Sequence, residues 1–535
     1  MDSAKVGMGG YPPAVEIGTG NPEAEKYGKM WERPEYRKVS PGEGLAQVFL
    51  AQARPKPGAE VLDFGCGTGR GALMLAILGG LRVTMIDFVR NSLDPEIREA
   101  LSTQAHTLKF VKADLEQPIP VVAEYGFCCD VMEHIPPERV DRVLDNVLKA
   151  ARHVFFSIST IPDKCGDLIG EDLHMTVQPY GWWLRKLCDR DAVVHWSREE
   201  DGASLFYVSA WRSGRDVVKS GVLNAEEERI RENVKHNIAQ GWKQVHPAPT
   251  NDLECMIVGG GPSLPEFEDE IRAKRAEGVK LVTLNGAYNW ALERGLVPSA
   301  QVIVDARAFN ARFTKPVVEG FKVEELDGAV EGTLYLLASQ CHPSVFEGLP
   351  RDRTYLFHTM SGLVRDLLDA EYGGEWHSIP GGSTVLLRAI PLLRMLGYAR
   401  FHLYGCDSCL LPLSPVEPLT KALLGRMPVT LAEHAMGHHA YAQPENDKGV
   451  VLPVMTSPGG RVFYCHGWMI SQAQELIDMI RTLGDVIELE IHGDGLLAYI
   501  LKTGAELEWS EADPAISEPA ERKPGVLLTL KARGQ

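Results

Sequence analysis

The chain has no hydrophobic run approaching the ~20 apolar residues of a membrane-spanning helix, so no membrane partner is expected. Its start, Met1-Asp2-Ser3-Ala4-Lys5, lacks the apolar core of a signal peptide, and a cytoplasmic location is the expectation. Positive charge is in deficit: 55 Lys and Arg stand against 72 Asp and Glu, a formal net charge of −17. So acidic a chain argues against binding nucleic acid through unspecific phosphate contacts and leaves only a local basic groove as a route. Cysteines are few and scattered, ten in 535 residues, with one C-x-x-C at Cys406-Asp407-Ser408-Cys409. Without a second pair that spacing is no zinc signature, and reduced thiols are expected. No internal repeat or low-complexity tract is evident, which excludes a solenoid.

What is present is an ordinary globular composition, 44% hydrophobic and 24% charged, long enough for two or three domains. Two glycine-rich turns organise it. Val61-Leu62-Asp63-Phe64-Gly65-Cys66-Gly67-Thr68-Gly69 opens the first half, and Cys255-Met256-Ile257-Val258-Gly259-Gly260-Gly261-Pro262-Ser263-Leu264 opens the second. Each reads as a buried strand, a glycine loop and a helix, the geometry in which backbone N–H groups and a helix N-terminus hold a phosphate-type ligand.

Residues 1–50 form an arm that either packs on the first domain or lids its ligand site. Strands are expected at Val61–Phe64, Leu81–Asp87, Leu108–Ala113, Tyr125–Asp130 and Val154–Ser159, alternating with helices such as Pro137–Ala151. That alternation builds a parallel sheet with helices on both faces and a ligand at the carboxyl ends of the strands. Asp87 ends the second strand, about twenty residues past the loop, where a carboxylate accepts ribose hydroxyls. Asp114 ends the third, within reach of an adenine amino group.

With those residues in place, 55–215 resembles the class I S-adenosylmethionine-dependent methyltransferases, including Asp130-Val131-Met132-Glu133-His134 after the fourth strand and a last strand at Ser204–Trp211. The resemblance implies a seven-stranded α/β sheet over a domain spanning 51–215. It implies S-adenosylmethionine as cofactor, with Asp63, Gly65, Gly67 and Gly69 in the loop, Asp87 at the ribose and Asp114 at the adenine. No Asn/Asp-Pro-Pro-Tyr/Phe stretch follows the fourth strand. The acceptor is therefore read as a sugar, small molecule or protein group rather than a DNA base. His174, in the segment Gly166–Trp183 that could wall the acceptor pocket, is either a general base or a packed histidine.

Residues 216–250 read as a helical connector that could instead pack under the second sheet. Beyond it a second α/β domain, 251–500, runs through VTLNGA with Asn285, VDAR with Asp305, Ile379-Pro380-Gly381-Gly382-Ser383-Thr384 and Phe401–Asp407. These blocks resemble the motility accessory factors and archaeal 6-hydroxymethylpterin diphosphokinases, and distantly the bacterial sialyltransferases that use CMP-sialic acid. The fold class is thus two Rossmann-like, doubly wound α/β domains. The sialyltransferase resemblance implies a CMP-sugar held by Gly261, Pro262, Ser263, Asn285, Asp305, Gly382 and Ser383, all converging on one crevice. The diphosphokinase resemblance implies ATP, with Mg²⁺ at Asp305 or Asp407. Gly260 stands where the sialyltransferase loop carries Asn. For the base, His466 is preferred and His439 held in reserve.

His434, His438 and His439 are spaced H-x3-H-H, but Gly437 disfavours a helix and no zinc-protease Glu accompanies them, so no metal ligand is assigned. Residues 501–535 read as an acidic, solvated tail. The expected function is a bifunctional transferase; the alternative is a non-catalytic scaffold that keeps both folds in a homo-oligomer or larger assembly.

Overall fold

A computed structural model describes residues 22–38, 40–103, 106–210, 225–314, 332–359, 362–410, 451–455, 462–511 and 526–531. They fall in two compact units, within Met1–Tyr180 with Arg198–Tyr207 and within Gly181–Ser197 with Val208–Gln535. Among the described residues no helix is long and apolar enough to cross a membrane.

The first sheet contains β1 (Glu60–Phe64), β2 (Arg82–Asp87), β3 (Leu108–Lys112), β4 (Ala123–Cys129), β5 (Ala151–Ser159), β6 (Val193–Glu200) and β7 (Ala203–Ser209), in the order β3-β2-β1-β4-β5-β7-β6. β1 is parallel to β2 and to β4, with Leu62 opposite Thr84 on one side and Gly126 on the other. The chain therefore leaves β1 in one direction and returns on its other side. That reversal opens a crevice past the carboxyl ends of β1 and β4. Val61, Leu62 and Phe64 are buried, as a strand covered on both faces requires. The helix Val140–Ala150 buries Val140, Val143, Leu144, Val147 and Leu148, one apolar stripe at helical spacing. The helix Pro41–Ala53 buries Phe49 edge-on against Tyr125, Phe127 and Phe155. Packing of this kind contributes roughly 1.5–3 kcal/mol per large side chain, and it fixes the strand ends that carry the site.

The second sheet contains β8 (Lys243–Gln244), β9 (Glu254–Val258), β10 (Lys280–Leu284), β11 (Ala300–Ile303), β12 (Leu334–Ala338), β13 (Thr354–Thr359), β14 (Ser378–Ile379), β15 (Arg400–Tyr404) and β18 (Glu488–Ile491). Its order is β14-β13-β12-β11-β10-β9-β15-β18, with β8 added on β13. β9 is again a reversal point, parallel to β10 and to β15.

Of the two readings of 216–250, the described residues from 225 on follow the one in which the helix packs with the second domain. That helix, Glu227–Ile238, buries Ile230, Val234 and Ile238 with Ala306, Val364, Leu368 and Trp376. Asn237 Nδ2 donates to the Ser339 and Cys341 carbonyls at 2.9 and 2.7 Å. Within the segment read as a solvated tail, residues 506–511 and 526–531 are strands. β19 (Glu506–Glu511) and β20 (Val526–Lys531) pair antiparallel, and they join β16 (Val451–Met455) and β17 (Val462–His466) in a sheet ordered β17-β16-β20-β19.

Candidate active site

The turn after β1 is built by backbone contacts. The Gly65 and Cys66 N–H groups both donate to the Ile86 carbonyl, at 2.8 and 3.1 Å, tying the turn to β2. Gly65 sits at φ +64°, and a Cβ there would stand 2.6 Å from Val131 Cγ2. Asp87 then reaches back from the end of β2. One carboxylate oxygen accepts from Gly67 N at 3.1 Å and the other from Val89 N at 3.0 Å. Asp87 is 6% exposed, and burial pushes its carboxyl up to about 6 against the pull of those N–H groups. Asp63 lies beneath, 4% exposed, pushed up to about 8 by burial and then by the Asp87 charge.

An open cavity of about 740 Å³, its mouth included, runs along these strand ends. Gly65, Asp87 and Asp114 line it, with Phe88 and Leu115 between them; Asp130, Val131 and His134 line its far end. Gly67, Gly69 and Asp63 shape the turn instead of bordering the space: a Cβ on Gly67 would meet the Trp31 ring at 3.0 Å, and one on Gly69 would meet Ile97 at 2.8 Å.

The roof comes from the N-terminal arm. The helix Pro22–Met30 and the residues after it bring Glu23, Tyr27, Trp31 and Tyr36 into the cavity wall. Arg37 fastens this arm, donating to the Trp31, Asn91, Ser92 and Leu93 carbonyls and to Asp94 Oδ1 at 2.8–3.1 Å. Ser40 and Thr68 hydroxyls meet at 3.0 Å, linking the arm to the glycine loop itself. Of the two readings of the arm, this placement favours a lid.

At the far end the backbone of Asp130 is left-handed, φ +60°. Glu133 is fully buried; one carboxylate oxygen accepts from Ser159 N at 2.6 Å, and the Asp130 carboxyl is close to the group. Burial, then the Asp130 charge, pushes the Glu133 carboxyl well up. The Glu133 carbonyl accepts from Met175 N and Thr176 N at 2.8 and 2.9 Å. Those bonds bring His174, forty residues away in sequence, against His134, with ring centroids 4.8 Å apart.

The second domain's loops are arranged differently. Ser263 N and Oγ both donate to Asp407 Oδ2, at 3.0 and 2.9 Å. Gly261 N donates to the Gly405 carbonyl at 2.7 Å, and a Cβ on Gly261 would fall on Asp407 Oδ2. Ser383 N and Oγ donate to Glu475 Oε2 at 2.8 and 2.9 Å, and a Cβ on Gly382 would fall on that same oxygen. Asp305 is paired with the Arg307 guanidinium and caps its N–H at 3.0 Å. Asn285 is buried at φ +46°, its carbonyl accepting from Gln301 Nε2 at 2.9 Å.

Gly261, Pro262, Ser263, Asn285 and Asp305 follow three adjacent strands, β9, β10 and β11. Gly382 and Ser383 follow β14, from which four strands separate β9. Of the residues expected in one crevice, Ser383 is hydrogen-bonded to Glu475, whereas Ser263 is hydrogen-bonded to Asp407. His466 is the last residue of β17, and His439 lies outside the described residues. Sequence reasoning missed Glu475 as a loop partner, and Asp407 entered it only as a magnesium ligand. Both act across more than ninety residues, which no local motif signals.

Residues 61–153 match the family model of a methyltransferase domain. Residues 228–411 match the model described as 6-hydroxymethylpterin diphosphokinase MptE-like. The chain thus joins an N-terminal methyltransferase domain to a C-terminal MptE-like domain. No curated protein matches it. Among solved structures it is similar to an O-methyltransferase family protein from Burkholderia thailandensis, at 12% identity and a TM-score of 0.28, covering 36% of this chain and 64% of that one. It is also similar to magnesium protoporphyrin IX methyltransferase ChlM from Synechocystis PCC 6803 with bound SAM, at 17% identity and a TM-score of 0.26, covering 36% and 86%. A third is the PH0226 protein from Pyrococcus horikoshii OT3, at 13% identity and a TM-score of 0.28, covering 34% and 93%. The chain spans just under two thirds of the first of these.

Proposed function

We propose that the first domain binds S-adenosylmethionine and transfers its methyl group to a small-molecule, sugar or protein acceptor. The observation that carries this is Asp87 at the wall of the cavity, its carboxylate held by the backbone N–H groups of Gly67, Val89 and Phe88. A carboxylate has roughly four lone-pair sites, so it keeps acceptor capacity for a ribose hydroxyl. Asp114 accepts from the adenine amino group, and Gly65 lets the amino-acid portion approach the backbone. Tyr27, Trp31 and Tyr36 exclude water and present aromatic faces, which suit a sulfonium cation. S-adenosylmethionine supplies an activated methyl group, so the protein's main task is alignment of the acceptor. Thermal unfolding of the full chain tests the reading. S-adenosylmethionine at 100 times its Kd stabilises the native state by about 2.7 kcal/mol, seen as a rise in Tm; an unchanged Tm at millimolar cofactor removes the proposal.

For the second domain we infer nucleotide-dependent group transfer. A CMP-sugar would have to displace Asp407 or Glu475 from the serine donors. A nucleoside triphosphate bridged through Mg²⁺ would instead use Asp407, which is buried, raised to about 6 chiefly by burial, and flanked by Glu266 and Asp494. The acid at the loop therefore favours the ATP reading over the CMP-sugar one. Protection by ATP that disappears in EDTA supports it; protection by CMP that persists in EDTA reverses the preference.

A further inference from the structure

We propose that Asp130, His134 and His174 hold a divalent transition-metal ion at the acceptor end of the methyltransferase cavity. Each offers one ligand atom, and the three atoms lie within 4.8 Å of one another. The histidines are already set for the task. His134 Nδ1 lies 3.0 Å from the Leu173 carbonyl and His174 Nδ1 2.7 Å from the Ile161 carbonyl. A carbonyl only accepts, so each Nδ1 carries the hydrogen and each Nε2 keeps its lone pair. Metal-binding histidines are oriented in this way by carbonyl partners. Asp130 adds the carboxylate, from a backbone at φ +60°.

Two imidazoles and one carboxylate suit manganese, cobalt or zinc better than magnesium or calcium. Bonds of about 2.1 Å would draw the three atoms to about 3.4 Å apart in a tetrahedral site, a small closure for side chains. A second histidine–carboxylate group, His402, Glu490 and His492, is also close-packed. There His402 meets Glu254 at 3.2 Å through Nε2 and Glu490 at 3.1 Å through Nδ1. Both ring nitrogens are engaged by carboxylates, which makes it an ion-pair network.

Three protein ligands leave coordination positions open to the cavity that Asp130 and His134 line. The acceptor is then an alcohol or vicinal diol. Its oxygen would bind the cation, its O–H acidity would rise, and the proton would leave to water at the cavity mouth; the O–CH3 bond would form as the S–CH3 bond of S-adenosylmethionine breaks, leaving S-adenosylhomocysteine. His174 becomes a ligand and not a general base. The acceptor assignment rests on the methyltransferase reading; the cation site does not.

Metal-free full-length protein is titrated with Co²⁺ by visible absorption and calorimetry, and the same sample with S-adenosylhomocysteine. One cobalt equivalent is expected. His134→Ala should abolish it, His174→Gln should weaken it at least about tenfold, and His402→Gln should leave it intact. Unchanged Tm of the metal-free His174→Gln protein shows that its fold survives. The proposal is overturned if cobalt does not bind, if the equivalent survives in both His134→Ala and His174→Gln, or if His402→Gln removes it. S-adenosylhomocysteine binding without cobalt binding sinks this site alone; cobalt binding without S-adenosylhomocysteine sinks the methyltransferase reading alone.

Discussion

The two glycine loops resemble each other in sequence and end in different situations. After β1, the loop borders an open cavity, and its acid, Asp87, sits at the cavity wall held by backbone N–H groups. After β9, the loop is closed against its neighbour: Gly261 donates to Gly405, and Asp407 takes both Ser263 donors. A glycine run therefore specifies a tight turn beside a strand end. What the turn binds depends on which side chains from elsewhere reach it first.

The largest expected effect breaks the closed loop. Gly261→Ala would drive a methyl group onto Asp407 and to within 2.6 Å of the Gly405 carbonyl oxygen, where backbone cannot easily give way. A loss of about 3 kcal/mol in the second domain's stability is expected, read by urea unfolding of the full chain. Gly65→Ala, at the open loop, meets a side chain that can move, Val131, and pays mainly for its left-handed backbone. About 2 kcal/mol is expected, together with weaker S-adenosylhomocysteine binding as Val131 shifts in the cavity wall.

Acidity sharpens the comparison further. Asp63 is raised to about 8, Asp87 to about 6 and Asp407 to about 6. A carboxyl whose folded pKa lies above its unfolded value of about 3.9 binds its proton more tightly when folded. Stability then falls as pH rises between the two values. Both domains should lose stability from about pH 4 to 6, and only the first should go on losing it to about pH 8. Asp63→Asn should reduce that later slope, with the buried Glu133 carrying the remainder, checked by unfolding midpoints across pH. The smallest effect is Trp31→Ala, which opens the roof over the glycine loop; a loss of about 1 kcal/mol in S-adenosylhomocysteine affinity is expected, measured calorimetrically.

Much of the first fold was legible because strands β1, β2 and β4 are short, largely apolar runs that lead into Gly65, Asp87 and Asp130, a pattern that burial on both faces favours. β6 was not, since Val193–Glu200 begins apolar and ends in Ser-Arg-Glu-Glu, as a strand running out to solvent does. β19 and β20 were hidden by the acidic, proline-containing stretch between them, although their pairing is long-range and needs no local signal. The position of Asp87 at the end of β2 and of Asp114 just past β3, both on the cavity wall, was legible from spacing. The approach of His174 to His134 was not, because hydrogen bonds to the Glu133 carbonyl create it. The occupation of Ser263 by Asp407 and of Ser383 by Glu475 was hidden for the same reason.

The central claim is that the open loop after β1 holds S-adenosylmethionine through Asp87. Calorimetric titration of the full chain with S-adenosylhomocysteine tests it, run beside the Asp87→Ala protein. The account predicts one equivalent bound by the wild type and an affinity at least about tenfold lower in the variant, about 1.4 kcal/mol for the lost charge-assisted contacts. Equal affinity in the two proteins, or no binding in either, would contradict it.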